Sequence, residues 1–145
     1  MLGRAMIRRR WALPLSLALA ACGDDGFEPT TENVSGSYAA TTLTVETTSG
    51  TTDYLAAGSN VEATLLPDGT FQGHVFFPSL GPGGSDIDQD LTGTWILEGN
   101  EVTIDSVQDT FLRDVVFSAT ENRLDGEFVG EGERVHVTLE KPAQT

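Results

Sequence analysis

The sequence predicts an all-β domain, an antiparallel up-and-down meander that closes into a barrel of about eight strands. Three observations support this prediction. Apolar side chains recur at every second position, as in Val61, Ala63 and Leu65, which is the period of a strand with one buried face. From Gly36 onward, turn-forming residues come about every 8 to 12 residues. No stretch shows the three- and four-residue apolar spacing of an amphipathic helix, so little helix is expected.

The strands are predicted from this alternation one after another. In the first, Ser37–Glu46, the apolar positions change parity between Ala40 and Leu43, which predicts a β-bulge near Thr41-Thr42. The other strands are predicted at Asn60–Leu66, Phe71–Phe77, Asp86–Glu98, Val102–Ile104, Phe111–Ala119, Leu124–Val129 and Arg134–Glu140.

Short connections between these strands determine the expected topology. Pro67–Thr70 and Gly99-Asn100 are tight turns, because proline presets φ and glycine accepts positive φ. A segment around Tyr54-Leu55 is expected to pair weakly, and Pro78–Ser85 is the longest loop. Strands joined by such short turns are antiparallel, and a meander of about eight curls and closes. A two-sheet β-sandwich is the alternative.

The N-terminal residues have the pattern of an export signal. An arginine-rich start precedes an uncharged run from Trp11 to Ala21, which is too short to span a bilayer. Leu19-Ala20-Ala21-Cys22 resembles the lipobox of bacterial lipoproteins, and the resemblance implies that Cys22 is lipidated and becomes the mature N-terminus. Cys22 is also the only cysteine, so no disulfide is available to it within the chain. Because Gly23 follows, where aspartate tends to retain lipoproteins in the inner membrane, the outer membrane is expected.

Four regions follow from this pattern. Residues 1–21 are the signal peptide, 22–35 the lipidated cysteine and a disordered tether, 36–141 the barrel and 142–145 a C-terminal tail. Cleavage of the signal peptide removes four arginines. The mature chain then has four basic and 22 acidic residues, which gives a net charge of −18. Such a surface repels nucleic acid and favours cationic partners or solubility alone.

The barrel region resembles the lipocalin-like (calycin) barrels, especially the small, lipid-anchored bacterial ones. The likeness rests on Gly36-Ser37-Tyr38, on Gly93-Thr94-Trp95, and on the hairpins Leu66–Phe71 and Leu97–Ile104. In lipocalins, a Gly-x-Trp triplet opens the first strand; here Tyr38 holds that place and Trp95 comes mid-chain. The resemblance implies an interior that holds packed side chains or one small ligand.

Inward-facing aromatic residues are the candidates for lining such an interior. Alternation within the predicted strands gives seven of them: Tyr38, Phe71, Phe77, Trp95, Phe111, Phe117 and Phe128. They could fill the interior and leave only a shallow cup at one mouth.

No motif in the chain predicts catalysis, a metal or a cofactor. Asp86, Asp88 and Asp90 have the first three spacings of a calcium loop, but the glycine and the final glutamate are missing, so a solvated strand face is expected. His74 and His136 fall on outward positions. The glycine-rich segment at 81–84 precedes a strand, not a helix, which favours a mouth loop over a phosphate site.

Two functions therefore remain open at this point. One is a lipid-anchored, non-enzymatic envelope protein that binds a small apolar or amphipathic ligand at the barrel mouth. The alternative is an acidic protein-interaction module or an inhibitor of a cationic envelope enzyme. An enzyme is not expected, since no nucleophile elbow, zinc-binding helix motif or P-loop is present.

Overall fold

A computed structural model describes residues 27–108 and 110–142. The predicted signal peptide, Cys22 and the last residues of the tail lie outside these ranges. Within them, no helix has the length and apolar character that a membrane span needs.

Across residues 27–108 and 110–142, nine strands form one antiparallel sheet, which confirms the predicted fold class. One short helix, α1 (Thr31–Val34), precedes them, and two 3-10 helices interrupt them at Pro82–Gly84 and Phe111–Asp114. The strands are β1 (Gly36–Thr47), β2 (Gly50–Asp53), β3 (Asn60–Leu65), β4 (Thr70–Phe77), β5 (Ile87–Glu98), β6 (Glu101–Ser106), β7 (Val116–Thr120), β8 (Arg123–Gly130) and β9 (Glu133–Glu140). The sheet order is β2-β1-β3-β4-β5-β6-β7-β8-β9, and β9 returns to pair with β1.

The first strand closes the barrel and also carries the extra strand. One edge of β1 pairs with β3 over 36–39 and with β2 over 44–47, while the other edge pairs with β9 over 39–47. The β1–β9 register shifts between Ala40 and Thr42, which confirms the predicted bulge. The result is an eight-stranded closed barrel with β2 added beside it.

The two ends of the barrel differ. Three tight turns at 66–69, 99–100 and 121–122 lie at one end together with α1, and we call this the covered end. The connections at 54–59, 78–86, 107–115 and 131–132 lie at the other, the open end.

At the covered end, the chain before β1 is more ordered than the expected tether. The Thr30 hydroxyl accepts a hydrogen bond from the Asn33 backbone N–H and so caps α1. Val34 is fully buried in the core, and the Tyr38 hydroxyl donates to its carbonyl oxygen at 2.6 Å. Phe27 packs against the same core. The prediction of a disordered segment through residue 35 is therefore wrong for 27–35, because Val34 supplies an apolar contact that fixes the segment.

Two local predictions are also corrected. Residues 111–114 form a 3-10 helix instead of the start of a strand, because the Thr110 hydroxyl caps the turn and Leu112 and Val115 are both buried at three-residue spacing. The extra strand is Gly50–Asp53, and Tyr54-Leu55 forms the turn after it.

The interior of the covered half is tightly packed. Phe71 lies against Gly73, and Phe117 lies against Gly126, its partner in the β7–β8 register. A Cβ atom at either glycine would come within 3 Å of the neighbouring ring, so glycine here makes room for the aromatic side chain. Trp95 is 4% exposed, and its Nε1 donates to the Leu66 carbonyl oxygen at 2.8 Å.

Candidate functional site

The open end of the barrel holds an apolar cup of about 410 Å³. Its lining combines the inner faces of four strands with side chains from the open-end connections. Eight of the lining residues are apolar: Leu43, Val45, Tyr54, Phe77, Leu80, Ile87, Phe111 and Val135. The ninth is Glu133. A concave, mostly apolar surface with a single charged group is the usual form of a small-molecule site.

Strand register brings the strand residues of the cup together. Val45 of β1 lies opposite Val135 of β9, and Phe77 at the end of β4 lies opposite Ile87 at the start of β5. Side chains directly opposite each other share one face of the sheet, so both pairs face the barrel interior. The alternation that predicts the strands thus also places these side chains in the cup.

Three aromatic rings form one wall of the cup. The rings of Tyr54 and Phe77 meet edge to face, with centroids 6.4 Å apart and planes at 87°. Phe77 and Phe111 meet at the same centroid distance with planes at 69°. Edge-to-face packing is the arrangement that the quadrupoles of aromatic rings favour, and it stabilises the positions of these three side chains.

The seven aromatic residues predicted from the sequence divide into three groups. Phe77 and Phe111 line the cup. Phe128 is half-buried and packs against the core. The other four are buried core residues on the covered half: Tyr38, Phe71, Trp95 and Phe117. Tyr54 and Leu80, which the sequence reasoning missed, belong to connections where strand alternation gives no signal.

The covered end carries a polar cavity of about 480 Å³ between α1 and the β3–β4 turn, which is lined by Thr30, Thr31, Glu32, Asn33 and Pro67. Burial raises the pKa of Tyr38 to about 12, so its hydroxyl stays protonated as a donor to Val34. The Lys141 ammonium donates to the Asn33 carbonyl oxygen at 3.0 Å and lies 5.5 Å from the centre of the Tyr38 ring. Burial also lowers the pKa of Lys141. These contacts fasten α1 to the end of β9 and serve structure.

On the outer face of the barrel, one histidine lies between two aspartates. His74 Nδ1 is 2.8 Å from Asp90 Oδ1, and His74 Nε2 is 3.1 Å from Asp88 Oδ1. The hydrogen bond with Asp90 raises the pKa of the His74 imidazole above its usual 6.5, and the charge of Asp88 adds to the effect. Asp86 accepts a hydrogen bond from the Ser79 backbone N–H in the preceding loop.

These side chains do not assemble into a metal centre. In the described ranges, no group of three or more His, Cys, Asp and Glu side chains is arranged to hold a metal ion. His136 is exposed on the outer face of β9. The glycine-rich segment forms a single 3-10 turn before β5.

Another cavity, of about 490 Å³, is larger than the cup but lies on the outside of the barrel beside β5 and β6. Its lining includes the charged side chains of Asp105, Arg113 and Asp114. Because three of its seven lining side chains are charged, whereas eight of the nine that line the cup are apolar, we regard the cup as the candidate ligand site.

No protein-family model matches this chain, and no curated protein matches it either. The fold itself, an eight-stranded closed antiparallel barrel, is compatible with the lipocalin-like barrels.

Proposed function

We propose that this protein is a lipid-anchored, lipocalin-like protein of the cell envelope that binds a small apolar or amphipathic ligand in the cup and catalyses no reaction. The observation that carries the proposal is the asymmetry of the barrel. One end is packed and covered, while the other opens into an apolar cavity of about 410 Å³.

The energetics of burial favour a medium-length hydrocarbon ligand. A dissociation constant of 1 μM corresponds to about 8 kcal/mol. At ~0.8 kcal/mol per buried methylene, roughly ten methylene groups are needed, and the cost of immobilising the ligand raises that number. A flexible chain of this length, or a compact ring system, is therefore the class of ligand that we expect.

The position of α1 gives the proposed anchor an orientation. Phe27 packs at the covered end and lies only five positions after Cys22 in the sequence. Five residues span at most about 18 Å, so an acylated Cys22 holds the covered end near the lipid surface. The open end then faces away from the membrane, outward into the compartment. Mass spectrometry of protein extracted from its host should find acyl chains on an N-terminal Cys22.

Displacement of a neutral hydrophobic dye by aliphatic alcohols tests the cup directly. Leu80 lines the cup and is 50% exposed, so a bound ligand covers the remaining apolar surface. Leu80→Ser should weaken dye affinity about fourfold or more. Ile96→Ser is the matched control, because Ile96 is 57% exposed and lies outside the cup.

The outcomes separate clearly. Dye binding that falls in Leu80→Ser and persists in Ile96→Ser supports the proposal. Absence of dye binding to the folded protein, or equal loss in both variants, contradicts it. The alternative expectation of a cationic protein partner rests on net charge alone and stays a prediction.

A further inference from the structure

Among the residues that the structure describes, one charged side chain lines the cup, the carboxylate of Glu133 at its rim. Glu133 precedes Val135 by two residues on β9, so the two side chains share the inner face of the barrel. In the β1–β9 register, Glu133 lies opposite Thr47 and Val135 lies opposite Val45. Glu133 is exposed to solvent, whereas Val135 below it is buried. A ligand with its apolar part on the valines therefore brings its polar end to Glu133.

The basic residues in the described ranges lie away from this position. Arg123 and Lys141 are at the covered end, where Arg123 ends the β7–β8 turn and Lys141 contacts α1. Arg134 alternates to the outer face, and its Nε is 3.9 Å from Glu127 Oε2. Arg113 lines the outer polar cavity. The lining of the cup thus contains Glu133 and no basic side chain.

Further carboxylates surround the open end. Asp53 ends β2 and accepts a hydrogen bond from the Ala56 backbone N–H, and Asp86 accepts one from Ser79 in the loop before β5. Glu131 belongs to the β8–β9 connection at the same end, whereas Asp114, like Arg113, lines the outer cavity. An anionic head group approaching the cup meets like charges, while a cationic one meets opposite charges, and the apolar floor strengthens both effects.

We propose that the cup selects amphipathic ligands with a cationic head group over anionic ones, and that the Glu133 carboxylate binds the cation. The proposal deepens the proposed function and rests on it. It predicts an order of affinity among ligands with the same hydrocarbon chain: amine first, alcohol second, carboxylate last.

The experiment compares decylamine, decanol and decanoate as displacers of a neutral dye from the purified full chain at neutral pH and low salt. For a solvent-accessible ion pair, decylamine should bind about two- to fivefold more tightly than decanol, and decanoate more weakly than both. Glu133→Gln should bring the affinities of decylamine and decanoate closer to that of decanol, and the other open-end carboxylates account for the difference that remains. Added salt should reduce the preference, because it screens the pair.

Glu131→Gln is the matched control. Glu131 carries the same charge and lies two residues before Glu133, but its side chain does not line the cup. Decylamine preference that is lost in Glu133→Gln and kept in Glu131→Gln supports the proposal. Decanol binding without a preference between decylamine and decanoate, or equal effects of both variants, overturns it and leaves the proposed function standing. Failure of decanol and the dye to bind at all overturns the proposed function itself.

Discussion

Replacement of Trp95 is the strongest test of the barrel and its register. The indole packs in the core at 4% exposure, and its Nε1 donates to the Leu66 carbonyl oxygen at 2.8 Å. The Trp95 backbone N–H also donates to the Gly69 carbonyl oxygen at 2.9 Å. One residue of β5 therefore holds both the core and the β3–β4 turn at the covered end.

The magnitude follows from these contacts. Trp95→Ala removes a buried aromatic side chain and should lower the free energy of unfolding by about 3–5 kcal/mol. At ~4 °C per kcal/mol for a domain of this size, the melting temperature should fall by about 12–20 °C. Trp95→Phe keeps a ring in the core but removes the indole hydrogen bond to the Leu66 carbonyl oxygen, which still accepts from the Gly69 backbone N–H, so the cost of the lost bond should be about 0.5–1.5 kcal/mol.

Thermal unfolding followed by circular dichroism measures both effects. Ile96→Ala is the control, because Ile96 is the next residue on β5 and faces outward at 57% exposure. Its cost should stay within about 0.5 kcal/mol. Similar melting temperatures for Trp95→Ala and Ile96→Ala would refute the inward orientation of Trp95 and with it the register of β5.

Three further predictions concern other parts of the barrel. Gly126→Ala should lower the melting temperature clearly, because the added Cβ would press on the Phe117 ring; a neutral result would contradict the close packing of β7 and β8. Tyr38→Phe should cost about 1–3 kcal/mol in denaturant unfolding, because the buried Val34 carbonyl oxygen loses its donor. The pKa of His74 is raised, so its stabilising contribution is complete below about pH 6.5 and is lost as the pH rises through the higher folded value. Nuclear magnetic resonance titration should therefore place the His74 pKa above 6.5, and His74→Gln should remove that part of the pH dependence of the melting temperature.

The strands with one buried face could be predicted from the sequence. In β3, Val61, Ala63 and Leu65 alternate with polar residues, and all three are buried. The closure of the meander followed from the shortness of the turns, since neighbours in sequence must then be neighbours in the sheet. Both signals come from periodicity and chain length, which are properties of the sequence itself.

Elements without such a periodic signal could not be predicted. All four residues of β2 (Gly50–Asp53) are exposed, so no buried face marks the strand in the sequence. In α1, Val34 is the only buried residue of a polar segment, and it becomes ordered only through tertiary contacts with the barrel. Residues 111–114 have a composition typical of a strand, but they form a 3-10 helix because the Thr110 hydroxyl caps its first turn.

The candidate site was predicted in part for the same reason. Phe77 was expected to line the interior because it continues the alternation of β4, and it lines the cup. Leu80 and Tyr54 reach the cup from connections, where the backbone does not alternate and the direction of a side chain depends on the loop conformation. Glu133 lies one residue before the predicted strand Arg134–Glu140, although its parity with Val135 places it on the inner face.

The distribution of inward side chains along the barrel axis explains why the apolar cup lies at the open end. The four buried aromatic rings all lie on the covered half, from Tyr38 on β1 to Phe117 on β7, and glycines beside two of them let the rings fill the centre. On the open half, β1 and β9 present Val45 and Val135, whose short side chains do not reach across a barrel of eight strands. The covered half can therefore supply the stability of the fold without the cup. For that reason, substitutions at the rim, such as those of Leu80 and Glu133, can alter ligand binding while the barrel stays folded.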